Sequence, residues 1–157
     1  MSSSCLKTIS FGFTLIELLV TISLALIISG SGIAYYSSFN RRQIVDQTAK
    51  TLVSDLRMAQ NMALSQQKPV SSTKFTGYYV QLSTNAYQIF PICNPACASI
   101  KTVNLTGANL TGTTKISFSV LTQEIEAIPI STITVKSKDG LYSKQVVVGT
   151  GGDIKIN

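Results

Sequence analysis

The sequence predicts an α+β protein in which a long N-terminal helix packs on a C-terminal antiparallel β-sheet domain. Three observations predict this fold. An apolar segment extends from Phe13 to Tyr36, and an apolar stripe at helical spacing follows it. After residue 70 the helical periodicity ends, and short β-branched segments alternate with Gly, Asn, Asp and Ser.

The composition argues against an enzyme. The chain has 157 residues, a formal net charge of +6 and 45% hydrophobic residues. It contains no His, which excludes Ser-His-Asp and Cys-His catalysis and every His-ligated metal site. Three cysteines are also too few for a four-thiolate zinc site within one chain. We therefore expect no catalytic residue, no metal and no cofactor.

The first element, from Phe13 to Tyr36, is long and apolar enough to cross a bilayer, which takes about 20 residues. Glu17 is its only charge, and Arg41 and Arg42 follow it. A carboxylate inside an apolar span costs about 2.5–3.5 kcal/mol on insertion scales. The presence of Glu17 therefore indicates a partner or a function at this position.

Residues 1–40 allow three interpretations. One is a removable secretory signal with Lys7 at its basic end, Leu18–Ile28 as its apolar stretch and Ser29–Ser31 as its cleavage site. The second is a plain membrane anchor. The third is a short polar leader that is cut before the apolar stretch. A carboxylate such as Glu17 serves no purpose in a signal that is removed. It can have a function in a segment that stays on the mature chain.

The residues Gly12–Val20, GFTLIELLV, resemble the class III signal of type IV pilins and type II secretion pseudopilins. In that family a prepilin peptidase cleaves after the Gly and methylates the new N-terminal Phe. The resemblance implies a leader at residues 1–12, cleavage between Gly12 and Phe13, and an assembly role for Glu17, which would pair with the amino group of a neighbouring subunit. Alternatively, Glu17 pairs with its own N-terminus or reaches the membrane surface.

The second element, residues 37–67, is predicted to be the amphipathic half of the same helix. Its apolar positions recur at spacings of three and four and form one stripe. Pro69 ends the pattern, because it biases Lys68 away from helical geometry. One helix from about Phe13 to about Gln67 is therefore predicted, with the stripe at Val45, Ala49, Leu52, Leu56, Ala59 and Ala63.

Two further segments are similar to the pseudopilin H and minor pilin T group. Within Ala49–Val70, that similarity rests on Asp55-Leu56, Ala59, Ala63 and Pro69-Val70. In the tail, Gly152–Ile156 has Asp153 where the group has Arg. DNA-binding members of the group use basic residues of this tail, so the acidic replacement weakens a DNA-binding role here.

The third element, residues 68–157, is predicted to be a β-rich exported domain. Asp139-Gly140 is a hairpin turn signal. The repeated Asn-Leu-Thr-Gly at 104–107 and 109–112 is interpreted as turn-rich loop. The predicted strands are Tyr78–Leu82, Ala86–Phe90, Lys115–Leu121, Thr132–Lys136, Gln145–Val148 and Asp153–Ile156.

Two sets of residues in this domain are candidate sites. Cys93 and Cys97 favour a disulfide if the domain is exported. Free thiols are one alternative, and a redox or metal role is another. Redox pairs usually have the spacing C-x-x-C, whereas this pair has three residues between the cysteines. Four lysines are the candidate DNA-binding set, against the alternative of a solvated basic face. The first three of them could meet across the Asp139-Gly140 hairpin; the set is Lys136, Lys138, Lys144 and Lys155.

Together, the motifs predict a structural, minor pilin-like subunit of a type IV pilus or a type II secretion pseudopilus. It would cross the inner membrane once, with its C-terminal domain in the periplasm or outside the cell. The expected partners are other pilin or pseudopilin subunits, the prepilin peptidase/methyltransferase and the inner-membrane assembly platform. One alternative is a DNA-binding minor pilin of natural transformation; another is an unrelated membrane-anchored exported domain.

Overall fold

A computed structural model describes residues 12–70, 74–119 and 130–157, without the side chains of residues 30–34. The chain divides into two compact units, Met1–Ser38 and Phe39–Asn157. The predicted α+β class is confirmed: the described residues form one helix and two antiparallel sheets.

Helix α1 extends from Leu15 to Leu64, close to the predicted bounds. The helix ends in a Schellman motif, in which Gln67 N donates to Met62 O at 3.1 Å and Gln66 N donates to Ala63 O at 3.1 Å. Gln66 adopts a left-handed backbone with φ of 52°. The chain therefore leaves helical geometry before it reaches Pro69.

Eight strands follow the helix in the part of the chain that the structure describes. In chain order they are β1 (Lys74–Ser83), β2 (Ala86–Asn94), β3 (Lys101–Asn104), β4 (Ala108–Gly112), β5 (Lys115–Ser119), β6 (Ser131–Ser137), β7 (Ser143–Val148) and β8 (Ile154–Ile156). The first sheet has the strand order β3-β2-β1-β5, and the second has the order β4-β6-β7-β8. Every pairing is antiparallel. Strand β8 is thus an edge strand of the second sheet.

The predicted strands are found, but two features differ from the prediction. The single predicted sheet is two sheets, and β3 and β4 were not predicted. The second Asn-Leu-Thr-Gly copy lies in β4, where Leu110 is buried and pairs with Val135. The turn prediction holds at Gly107, which lies in a bend with a φ of 97°, and is wrong at Gly112, which is the last residue of β4 and pairs with Ile133. The predicted strand at 115–121 extends beyond the described residues after Ser119.

The core of the Phe39–Asn157 unit lies between the helix stripe and the inner faces of both sheets. All six predicted stripe residues are at most 2% exposed. Val80 and Ile89 of the first sheet and Ile133 and Val146 of the second are fully buried in the same cluster. The helix therefore contributes one side of a core that both sheets share.

The predicted membrane span at residues 13–36 falls entirely in the Met1–Ser38 unit, where it is helical from Leu15 onwards. It includes residues 30–34, whose side chains lie outside the description. Within the described residues, no helix is both long enough and apolar enough to cross a membrane.

Candidate functional site

The first part of α1 presents apolar side chains in every direction. Their exposed fractions range from 48% at Val20 to 82% at Leu15. A helix that is apolar all round requires apolar surroundings, because water solvates such a surface unfavourably. We call this set the apolar collar; it consists of Leu15, Ile16, Leu18, Leu19, Val20, Ile22, Leu24, Leu26, Ile27 and Ile28.

Glu17 lies in the first turn of the helix and takes part in its cap. Its backbone N–H donates to Thr14 O at 3.1 Å and lies 3.4 Å from Thr14 Oγ1. Thr-x-x-Glu is the sequence of a capping box, and an acidic side chain is favourable near a helix N-terminus. The backbone of Glu17 therefore takes part in the cap, and its side chain has the charge that the helix N-terminus favours.

The predicted processing residues precede this cap. Phe13 is 75% exposed, and a Cβ atom placed on Gly12 would meet no atom within 4 Å. The peptide bond between them lies outside any packed region of the described structure. The rest of the predicted leader, residues 1–11, lies outside the described residues.

A buried polar network joins α1 to the first sheet. Asp55 is only 4% exposed; its Oδ2 accepts from the Tyr87 hydroxyl at 2.7 Å, and its Oδ1 pairs with Lys101 Nζ at 2.7 Å. Burial raises the pKa of Tyr87 well above its ordinary value, and the neighbouring Asp55 carboxylate raises it further. Tyr87 therefore remains a protonated donor, and the network fixes the helix rather than transferring a proton.

The burial of Asp55 is not among the features predicted from the sequence. A signal was available, because Asp55 lies three residues after Leu52 and four before Ala59, both on the buried stripe. Its partners could not be found in this way, because Tyr87 and Lys101 meet it only through tertiary packing.

Further contacts join α1 to the second sheet and to the turn before β8. Asp46 accepts from Lys50 at 2.6 Å and also pairs with Lys144. The hydrogen bond from Lys144, supported by the one from Lys50, lowers the pKa of Asp46 from 3.8 to about 2. Arg57 Nη2 donates to Ile154 O at 3.1 Å, and Gln60 Nε2 donates to Gly152 O at 3.0 Å.

The candidate DNA-binding lysines are divided between the two faces of the second sheet. The β6–β7 hairpin forms as predicted, but Lys136 is opposite Ser143, and Lys144 is opposite Val135. Cross-strand partners share a face of the sheet, and Val135 is fully buried. Lys144 therefore lies on the helix side of the sheet, where it reaches Asp46, and Lys136 lies on the opposite side. The expected cluster is wrong because the register places these two lysines on different faces.

Of the other two candidate lysines, Lys155 is opposite Val147, so it lies on the same face of the sheet as Lys136 and not on that of Lys144. Lys138 lies in the turn after β6. Lys155 pairs with Asp153 at 2.8 Å; this hydrogen bond raises the pKa of Lys155 and lowers that of Asp153. Two cations of the predicted set are thus partly neutralised by carboxylates of the same chain.

Cys93 and Cys97 are joined as a disulfide, with their Cα atoms 6.0 Å apart. Cys93 lies near the end of β2, and the closed loop contains Pro95. Because the loop is short, the bond restrains the chain only locally on the chain-entropy account. This arrangement fits a structural crosslink at the end of the strand.

An open groove of about 1530 Å³ lies between α1 and the edge strand β8. Three apolar side chains form part of its lining: Met58, Met62 and Ile156. Three cations also line it, and none of the described lining residues is acidic; the cations are Lys50, Arg57 and Lys155. We call this feature the β8 groove.

The described residues contain no group of three or more His, Cys, Asp or Glu side chains placed to hold a metal ion. Comparisons with protein-family models, curated proteins and solved structures find no match to the chain.

Proposed function

We propose that the chain is a structural, pilin-like subunit of a type IV pilus or a type II secretion pseudopilus. One observation carries the proposal. The apolar collar is exposed on all sides of a capped helix and follows directly after the Gly12-Phe13 sequence of the resemblance. Such a surface needs lipid before assembly and neighbouring subunits afterwards.

The first turn of α1 supports this role chemically. Cleavage after Gly12 would leave an ammonium group on Phe13, next to the positive end of the helix dipole. A cation there is unfavourable in apolar surroundings unless an anion accompanies it. Glu17 of a neighbouring subunit is a suitable anion, since it carries the only charge between Phe13 and Tyr36.

Mass spectrometry of the mature N-terminus tests the processing. The full chain is produced together with a prepilin peptidase and recovered from membranes. We expect a mature chain that begins with N-methylated Phe13. Gly12→Val should block cleavage, because the small residue before the cut is replaced by a β-branched one, whereas the matched leader variant Ser4→Val should be processed. A mature start at Gly32, or an intact leader in both variants, would overturn the proposal.

Glu17→Gln tests the assembly role separately. The amide retains the size of the side chain and removes its charge. We expect normal cleavage but loss of recovery in sheared filament fractions, while Ser23→Ala, on the same part of the helix, should assemble normally. Equal assembly of both variants would contradict an assembly role for the charge of Glu17.

A further inference from the structure

We propose that the β8 groove binds an extended, acidic segment of a partner polypeptide, which adds to the edge strand β8 as a further strand. This inference stands on the Phe39–Asn157 unit alone and does not depend on the filament role. The partner is identified by chemistry: an extended backbone, carboxylate side chains and apolar side chains in alternation.

The backbone of β8 offers hydrogen-bonding groups to the groove. Gln145 and Asn157 exchange both backbone hydrogen bonds, at 3.1 and 2.8 Å. Antiparallel pairs alternate between bonded and non-bonded positions, so Ile156 and Ile154 direct their N–H and C=O groups away from β7. Arg57 occupies Ile154 O. The Ile154 N–H and both backbone groups of Ile156 have no partner among the described residues.

The side chains that line the groove favour a partner strand in which apolar and acidic residues alternate. An added strand would lie about 4.8 Å from β8, and its side chains would point alternately to the two faces of the sheet. On the helix face they would meet Met58, Met62 and Ile156, which favour apolar groups. On the other face they would lie beside Lys155, which favours a carboxylate.

The charge of the groove favours an acidic occupant. Arg57 and Lys50 line it from the helix, and no described lining residue is acidic. Lys50 also contacts Asp46, but its side chain is 68% exposed. Lys155 already contacts Asp153, but both side chains are more than half exposed, at 72% and 54%. Exposed ion pairs contribute little, so a peptide carboxylate can replace this contact at small cost.

A nucleic acid fits the same groove less well. None of the described lining residues is aromatic, so the groove has no surface on which bases could stack. A phosphate backbone would also make no strand pairing with the backbone groups of β8 and no apolar contact with Met58, Met62 and Ile156. We therefore assign the groove to a polypeptide and retain the oligonucleotide as a control in the test.

The test measures binding of a fluorescent peptide to the full chain in detergent micelles, by fluorescence polarisation. The probe is a short synthetic peptide in which Val and Glu alternate. We expect saturable binding that weakens with added salt. Two matched peptides should bind about tenfold more weakly or not at all: one with Lys in place of Glu, and one with N-methylated backbone amides.

Two variants at position 156 distinguish the backbone hydrogen bond of the edge strand from the packing of its side chain. Ile156→Pro removes an N–H that points into the groove and leaves the β7 ladder intact. Ile156→Val keeps that N–H. We expect the Pro variant to bind the probe about tenfold more weakly and the Val variant to bind within about twofold of the parent. Thermal unfolding establishes that both variants are folded.

Several results would overturn the proposal. Equal binding by folded Ile156→Pro and Ile156→Val would remove the edge strand from the interaction. If the Pro variant does not fold, the comparison of the N-methylated peptide with the unmodified peptide replaces it. Equal binding of these two peptides would also show that the edge strand takes no part in the interaction. If a single-stranded oligonucleotide displaced the probe and bound the parent more tightly than the peptide did, the groove would be a general polyanion surface.

Discussion

The two parts of α1, before and after Phe39, share one backbone geometry and differ in how their apolar side chains are distributed around the axis. Before Phe39 they surround the helix and are exposed, as at Leu15 and Ile27. After Phe39 they form one stripe, where Leu52 and Leu56 are fully buried against the sheets. A stripe can be covered by the chain's own domain, whereas a complete apolar circumference must be covered by another molecule or by lipid.

The polar side chains show the same difference. In the first part, Thr21 Oγ1 donates to Leu18 O at 2.9 Å, and Ser23 Oγ donates to Leu19 O at 2.8 Å. These hydroxyls are satisfied within the helix and need no water. In the second part, polar side chains such as that of Asp55 reach across to the strands. The first part is thus prepared for apolar surroundings, and the second for attachment to its own sheets.

The largest expected effect on stability distinguishes the buried stripe of α1 from the apolar collar. Leu52→Ala should lower the free energy of unfolding by about 2–5 kcal/mol, because it leaves a cavity between the helix and the sheets. The matched Leu19→Ala in the apolar collar should change it by less than about 0.5 kcal/mol. Urea denaturation of the full chain in micelles, followed by circular dichroism of the β-rich domain, measures both. Equal losses would mean that the collar also packs on the domain.

An intermediate effect is expected at the buried network of the second part. Asp55→Ala should lower the free energy of unfolding by about 1–3 kcal/mol, because the buried Tyr87 hydroxyl loses its acceptor. Removing that hydroxyl as well, in Asp55→Ala with Tyr87→Phe, should recover part of the loss. Strictly additive losses in the double-mutant cycle would show that the two side chains do not act as a pair.

The smallest effect concerns the exposed ion pairs of the second part. The pKa of Asp46 is about 2 in the folded chain, below its ordinary value of 3.8. Its stabilising contribution is therefore complete above pH 3.8 and is lost as the pH falls towards 2. Asp46→Asn should unfold at a slightly lower temperature than the parent at pH 6, and the difference should close near pH 2. A difference that stays constant with pH would exclude ionisation of Asp46 as its cause.

Much of the fold could be predicted because periodicity survives in a single sequence. The single helix, its buried stripe and the six predicted strands follow from spacings of three, four and two. The division into two sheets could not be predicted, because alternation shows which face of a strand is buried but not which strands pair. Strand β4 was hidden because Asn109, Thr111 and Gly112 resemble a turn, while only Ala108 and Leu110 carry the buried pattern.

The candidate sites were predicted less well, for reasons of register. A two-residue turn at Asp139-Gly140 already places residue 136 opposite 143, as observed, so the sequence held the information that separates Lys136 from Lys144. The β8 groove had no such signal. It depends on β8 being an edge strand beside Arg57, and both facts arise only from the packing of distant segments.

The ties between α1 and the two sheets have a mechanical consequence. Asp46, Asp55, Arg57 and Gln60 connect the second part of the helix to both sheets and to the turn before β8. A tensile force applied along the helix axis is therefore shared among these ties in parallel, instead of falling on one contact at a time. Because the buried stripe must slide out together with them, the domain resists shear as one unit, and it is built to hold its helix when the chain is pulled from the N-terminal side.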